Sequence, residues 1–104
     1  MKNQKKAKLE AAGWRVSDAS ELLGLTPEEN ALIEMRLALS RALQNQRLNE
    51  KLTQAALAKL LGSSQSRIAK MEAADPSVSL DLLIRGLLAL GSKNSDIARV
   101  ISKS

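Results

Sequence analysis

The chain of 104 residues has no cysteine, no histidine, no phenylalanine and no tyrosine, and Trp14 is its only aromatic side chain. Without cysteine there is no disulfide framework. Without histidine as well, the usual ligands of structural or catalytic zinc are missing. Apolar residues still supply 44% of the sequence, so a core has to be packed from Leu, Ile, Val, Met and Ala, a composition that favours helices over sheets. No apolar run approaches the roughly 20 residues of a membrane span, and residues 1–13 hold no hydrophobic stretch that could serve as a signal peptide. The expectation is a cytoplasmic, all-α protein with no metal, no cofactor and no membrane segment.

The formal net charge is +5, from 16 basic and 11 acidic residues. Lys2, Lys5, Lys6 and Lys8 fall within the first eight positions, and without them 12 basic residues face the same 11 acidic ones. Bulk charge is therefore a poor guide to a nucleic-acid partner, and the Lys-rich start reads first as a solubilising tail. No internal repeat at spacings of 20 to 50 residues is present.

Cap and stop residues divide the rest. Gly13-Trp14-Arg15-Val16 reads as a short extended entry, Asp18 with Glu21 as a capping box for a turn or two of helix, and Gly24 as its end. Thr26-Pro27-Glu28-Glu29 places a Thr cap, a Pro at the first helical position and a Glu that returns the capping bond, so a long helix is predicted from here to residues 47–49. Leu32, Ile33, Leu37, Leu39 and Leu43 form its apolar pattern, leaving Glu34, Arg36, Arg41 and Gln44 for water. Thr53 caps a helix over residues 54–61 closed by Gly62, and Ser64 caps another from residue 65 to about residue 73. Asp75-Pro76 breaks the chain, Ser79 caps a helix over residues 80–90 ended by Gly91, and Asn94 or Ser95 opens a last one holding Ile97, Val100 and Ile101.

Residues 53–72 thus contain two short helices joined by a tight turn, the arrangement of a helix-turn-helix. Small Ala58 lets the helices approach, Gly62 can take the positive φ of the turn, and Leu57, Leu61, Ile68 and Met71 fill the angle between them. At about 100° per residue, Ile68 and Met71 share one side of the second helix and Gln65, Ser66, Ala69 and Lys70 lie roughly opposite. Gln can pair bidentately with adenine, Lys can donate to guanine, Ser is adaptable, and Ala69 can meet a thymine methyl. Arg67 sits at the flank, where phosphate is the nearer partner. Gln54, at the start of the first helix, could hold a phosphate with its amide and the neighbouring backbone N–H groups.

The pattern Thr-Gln-x-x-Leu-Ala-x-x-Leu-Gly-x-Ser-Gln-Ser-x-Ile-x-x-x-Glu, beginning at Thr53, resembles the helix-turn-helix of the XRE (lambda repressor and Cro-like) regulators, with similarity over about residues 31 to 92. The resemblance implies a five-helix lambda-repressor-like DNA-binding domain over residues 26–104, preceded by a flexible basic arm and short N-terminal extension over residues 1–25. It also implies backbone clamping by Gln54, base reading by Gln65, Ser66 and Lys70, and a homodimer on a palindromic operator. The candidate DNA-contacting set is Gln54, Ser64, Gln65, Ser66, Arg67, Ala69 and Lys70. Residues 13–25, 65–72 and 79–84 look like the HigA-type antitoxin branch, whose members often repress their own operon and bind a RelE/HigB-like toxin, although stand-alone regulators share the outline. Where many XRE proteins follow the recognition helix with Gly and basic residues, this chain has Ala73-Ala74-Asp75-Pro76, which puts a phosphate contact from that loop in doubt.

Two bland readings stand beside these. Ala, Leu and Lys patterns also build ordinary bundles, and Trp14 reads as a packing anchor. The paired acids Asp18 and Glu21, and Glu28 and Glu29, sit at helix starts where capping and the helix dipole account for them. With no Gly-rich phosphate loop, nucleophile–base pair or metal cluster, an enzyme is not expected. The expected product is a sequence-specific transcriptional regulator, plausibly an autoregulating antitoxin, the alternative being an interaction module that neutralises a toxin with DNA binding secondary or absent.

Overall fold

The computed structural model describes residues 24–103, which form five helices and no strand: α1 (Pro27–Asn49), α2 (Gln54–Leu61), α3 (Gln65–Glu72), α4 (Leu80–Ala89) and α5 (Asn94–Ser102). The all-α expectation holds. Trp14 and the short helix expected after Asp18 lie outside the described residues. The chain divides into two compact units, residues 1–34 and 35–104.

In the first unit the capping box forms as its residues dictate. Glu29 N donates to Thr26 Oγ1 at 3.0 Å and Thr26 N donates to Glu29 Oε1 at 2.9 Å, so two N–H groups of the helix start are satisfied reciprocally. Leu32, expected among the apolar pattern of α1, is exposed.

In the second unit α1 contributes Leu39 and Leu43, four residues apart and fully buried. Leu57 and Ala58 of α2, Ile68 and Met71 of α3, Leu83 and Leu87 of α4 and Ile97 of α5 close the same core. Each large aliphatic side chain removed from water contributes about 1.5–3 kcal/mol, which is what holds helices of eight to ten residues that would not persist alone. Of the α1 residues expected in water, Arg41 and Gln44 are exposed, but Arg36 is half-buried, as is Glu34 of the first unit. Arg36 Nε donates to the carbonyl of buried Val78 at 3.2 Å. Helical periodicity sorts side chains by polarity and has no knowledge of a loop carbonyl that needs a donor.

Thr53, Ser64 and Ser79 cap α2, α3 and α4, their hydroxyls accepting from the N–H of Ala56, Arg67 and Leu82. At α5 Asn94 is the first helical residue and Lys93 takes the cap position, where its N–H donates to Asp96 Oδ2 at 2.9 Å. Four helices end on the same motif, a six-residue bond and a four-residue bond around one left-handed residue. Leu52 N–Arg47 O and Lys51 N–Leu48 O close α1, and Ser63 N–Ala58 O and Gly62 N–Lys59 O close α2. Asp75 N–Lys70 O and Ala74 N–Met71 O close α3, and Ser92 N–Leu87 O and Gly91 N–Leu88 O close α4. The left-handed position belongs to glycine in α2 and α4 (Gly62 φ +64°, Gly91 φ +96°) but to Lys51 and Ala74, each at φ +57°, in α1 and α3.

Candidate nucleic-acid interface

The turn Gly62-Ser63-Ser64 carries the chain from α2 into α3. Ile68 and Met71 anchor α3 in the core with no exposed surface, and Gln65, Ser66, Arg67, Ala69 and Lys70 are all exposed. The two faces follow from position alone: once Ile68 and Met71 are buried, the 3.6-residue repeat turns the others outward.

Ser64 Oγ accepts from Arg67 N at 3.2 Å and lies 3.2 Å from Ser66 Oγ. Its hydroxyl is thus occupied in starting α3 and steadying Ser66. Ser64, Ser66, Arg67 and Lys70 also line one groove of about 210 Å³ with Ser77, Val78 and Leu82 from the α3–α4 connection and α4. Gln65 and Ala69 are exposed but do not line it.

Asp75, in the place where the resemblance leads one to expect basic residues, ties this connection down. Its Oδ1 accepts from Ser77 N at 2.8 Å. Hydrogen bonds from the Ser77 hydroxyl and N–H, with a smaller contribution from the Lys70 ammonium, hold the Asp75 carboxyl below its ordinary range. Asp75 therefore stands ionised beside Lys70.

Gln54 is half-buried at the start of α2, and its Nε2 donates to Glu72 Oε1 at 3.1 Å. The same carboxylate takes a fork from Arg47: Nε to Oε2 at 2.5 Å and Nη2 to Oε1 at 3.1 Å. The third guanidinium nitrogen, Nη1, donates to Leu52 O at 2.7 Å in the α1–α2 turn. The Glu72 hydrogen bond raises the guanidinium pKa above its ordinary value against the opposing effect of burial, so Arg47 remains a cation. With side chains only 10% and 3% exposed, the Arg47–Glu72 pair is out of water with each guanidinium nitrogen and each carboxylate oxygen hydrogen-bonded, the condition under which a buried pair is tolerated.

Sequence reasoning passed over this pair, although a signal was there. Arg47 continues the Leu39–Leu43 spacing by four, and Glu72 lies four beyond Ile68. A charge in a core stripe asks for a buried partner.

Residues 43–93, just under half of the chain, match the HTH_3 family model, described as helix-turn-helix. No curated protein and no solved structure matches the chain. The matched residues take in the end of α1 and the whole of α2, α3 and α4. Five helices with no strand among the described residues are consistent with a lambda-repressor-like domain, and residues 43–93 carry a helix-turn-helix similar to the XRE type, which suggests a DNA-binding transcription regulator.

Proposed function

We propose that the chain is a sequence-specific transcriptional repressor that lays α3 in the major groove of a palindromic operator as a homodimer. One observation carries the reading: Gln65, Ser66, Ala69 and Lys70 are exposed together on α3, whose opposite face is locked into the core by Ile68 and Met71. A rigidly mounted polar helix face of small side chains suits base edges, with Gln65 for adenine, Lys70 for guanine and Ala69 for a thymine methyl. Arg67, in the groove beside Ser77, suits a phosphate. Dimerisation is supported by exposed Leu88 on α4 and half-exposed Val100 on α5, apolar surface that a two-fold seam would cover.

Selection from a random duplex pool, followed by footprinting on DNA upstream of the chain's own gene, tests the reading. It expects one palindromic consensus, protected in two major-groove half-sites about one helical turn apart. Recovery of no consensus, with equal retention of all duplexes, would sink it. The antitoxin role, which rests on the resemblance to the HigA-type branch, calls for a toxin-like reading frame beside the gene and a complex between the two products.

A further inference from the structure

We infer that Glu72 is a positioning residue for the side-chain amide of Gln54, and that Arg47 is the counter-charge that allows it. The inference rests on the DNA-binding reading above. Glu72 belongs to α3 and Gln54 to α2, so their bond joins the start of one helix of the motif to the end of the other.

The carboxylate already has its counter-ion, because Arg47 engages both oxygens. The Gln54 bond is therefore an addition to charge compensation, and its consequence falls on Gln54. A carboxylate accepts and never donates, so it forces Nε2 toward Glu72 and Oε1 away from it. One Nε2 hydrogen remains. It sits at the start of α2, where Thr53 Oγ1 already occupies the N–H of Ala56 and the N–H groups of the first helical residues have no acceptor within the helix. Ordering a free glutamine side chain on binding costs rotamer entropy. Glu72 imposes that order beforehand, and Gln54 meets a DNA phosphate as a donor in fixed register with the backbone N–H groups beside it. The same geometry excludes Gln54→Glu, which would oppose two carboxylates.

The test is a double-mutant cycle in the full chain. Glu72→Gln alone leaves a buried guanidinium poorly compensated and can unfold the domain, so the second background is Arg47→Met with Glu72→Met, an apolar replacement of the whole pair of a kind that often folds well. In wild type, Gln54→Ala is expected to weaken binding to the selected duplex about fivefold, one hydrogen bond's worth. In the Met/Met background, shown folded by its unfolding transition, the same substitution is expected to change binding by less than about twofold. The Gln54 side-chain amide protons are expected to be dispersed by the carboxylate in the NMR spectrum of wild type without DNA, and to collapse to ordinary glutamine shifts in that background. An equal loss from Gln54→Ala in both backgrounds, or unchanged amide shifts, overturns the positioning role while leaving DNA binding intact. A wild type that binds no duplex overturns the DNA reading and this inference with it, even if the amide shifts behave as expected.

Discussion

Gly86 of α4 lies so close to Leu43 of α1 that a Cβ built on it would stand 3.0 Å from Leu43 Cδ1 and 3.3 Å from Met71 Cε. The missing side chain is what allows α4 to approach both the long helix and α3. Both neighbours are fully buried and have little room to yield. Gly86→Val is expected to cost about 2 kcal/mol through overpacking, enough to lower the unfolding midpoint by several degrees in a thermal melt. An unchanged midpoint would mean that the α1–α4 contact is looser than described.

The left-handed ends of α1 and α3 offer the opposite experiment. Lys51 and Ala74 hold φ +57° where α2 and α4 use glycine. A Cβ in that region costs about 1–2 kcal/mol, against about 0.5–1 kcal/mol for glycine's greater freedom in the unfolded chain. Ala74→Gly and Lys51→Gly are each expected to gain roughly 0.5–1 kcal/mol, and Gly62→Ala to lose about as much, by urea titration of the three variants. Destabilisation by Ala74→Gly would contradict this.

Asp75 makes stability depend on pH. Its carboxyl is lowered in the folded state by Ser77 and, to a lesser degree, Lys70, while in the unfolded chain it titrates at its ordinary value. The contribution is therefore complete above the ordinary carboxylate range and is lost as pH falls through the lower folded value. Asp75→Asn keeps an acceptor for the Ser77 N–H and removes the titration. The melting difference between wild type and this variant should be constant near neutrality and drift in the variant's favour on acidification below about pH 4. A difference that stays flat to pH 2 would refute the assignment.

Lys70 and Arg67 share a groove but are expected to fail differently. Lys70→Ala should cost roughly 1–3 kcal/mol on the selected duplex and relax preference at one position. Arg67→Ala should weaken selected and random duplexes alike and reduce the salt slope by about one. Binding isotherms at several salt concentrations separate the two. Equal loss on all DNA from both substitutions would remove Lys70 from base reading.

Much of the fold was legible because its signals are local. Thr26 with Glu29, Thr53, Ser64 and Ser79 each satisfy an N–H within three residues of themselves, and Gly62 supplies a conformation that other residues resist. The faces of α3 follow from spacing, so Gln65, Ser66, Ala69 and Lys70 opposite Ile68 and Met71 could be read from order alone. The left-handed Lys51 and Ala74 could not, since neither residue type announces that conformation. Nor could the groove that joins Arg67 and Lys70 to Ser77, which exists only once α4 has packed.

The amino-acid order by itself determined where α1 to α4 begin and which side of α3 is apolar, because caps and periodicity act over three or four residues. Only tertiary structure decided which buried charges meet. Arg47 and Glu72 are 25 positions apart, and each is tolerable out of water only after the core made by Leu43, Leu57, Ile68 and Met71 has brought α1 and α3 within hydrogen-bonding distance. Gln54, read from sequence as an amide at a helix start, is oriented by that distant pair.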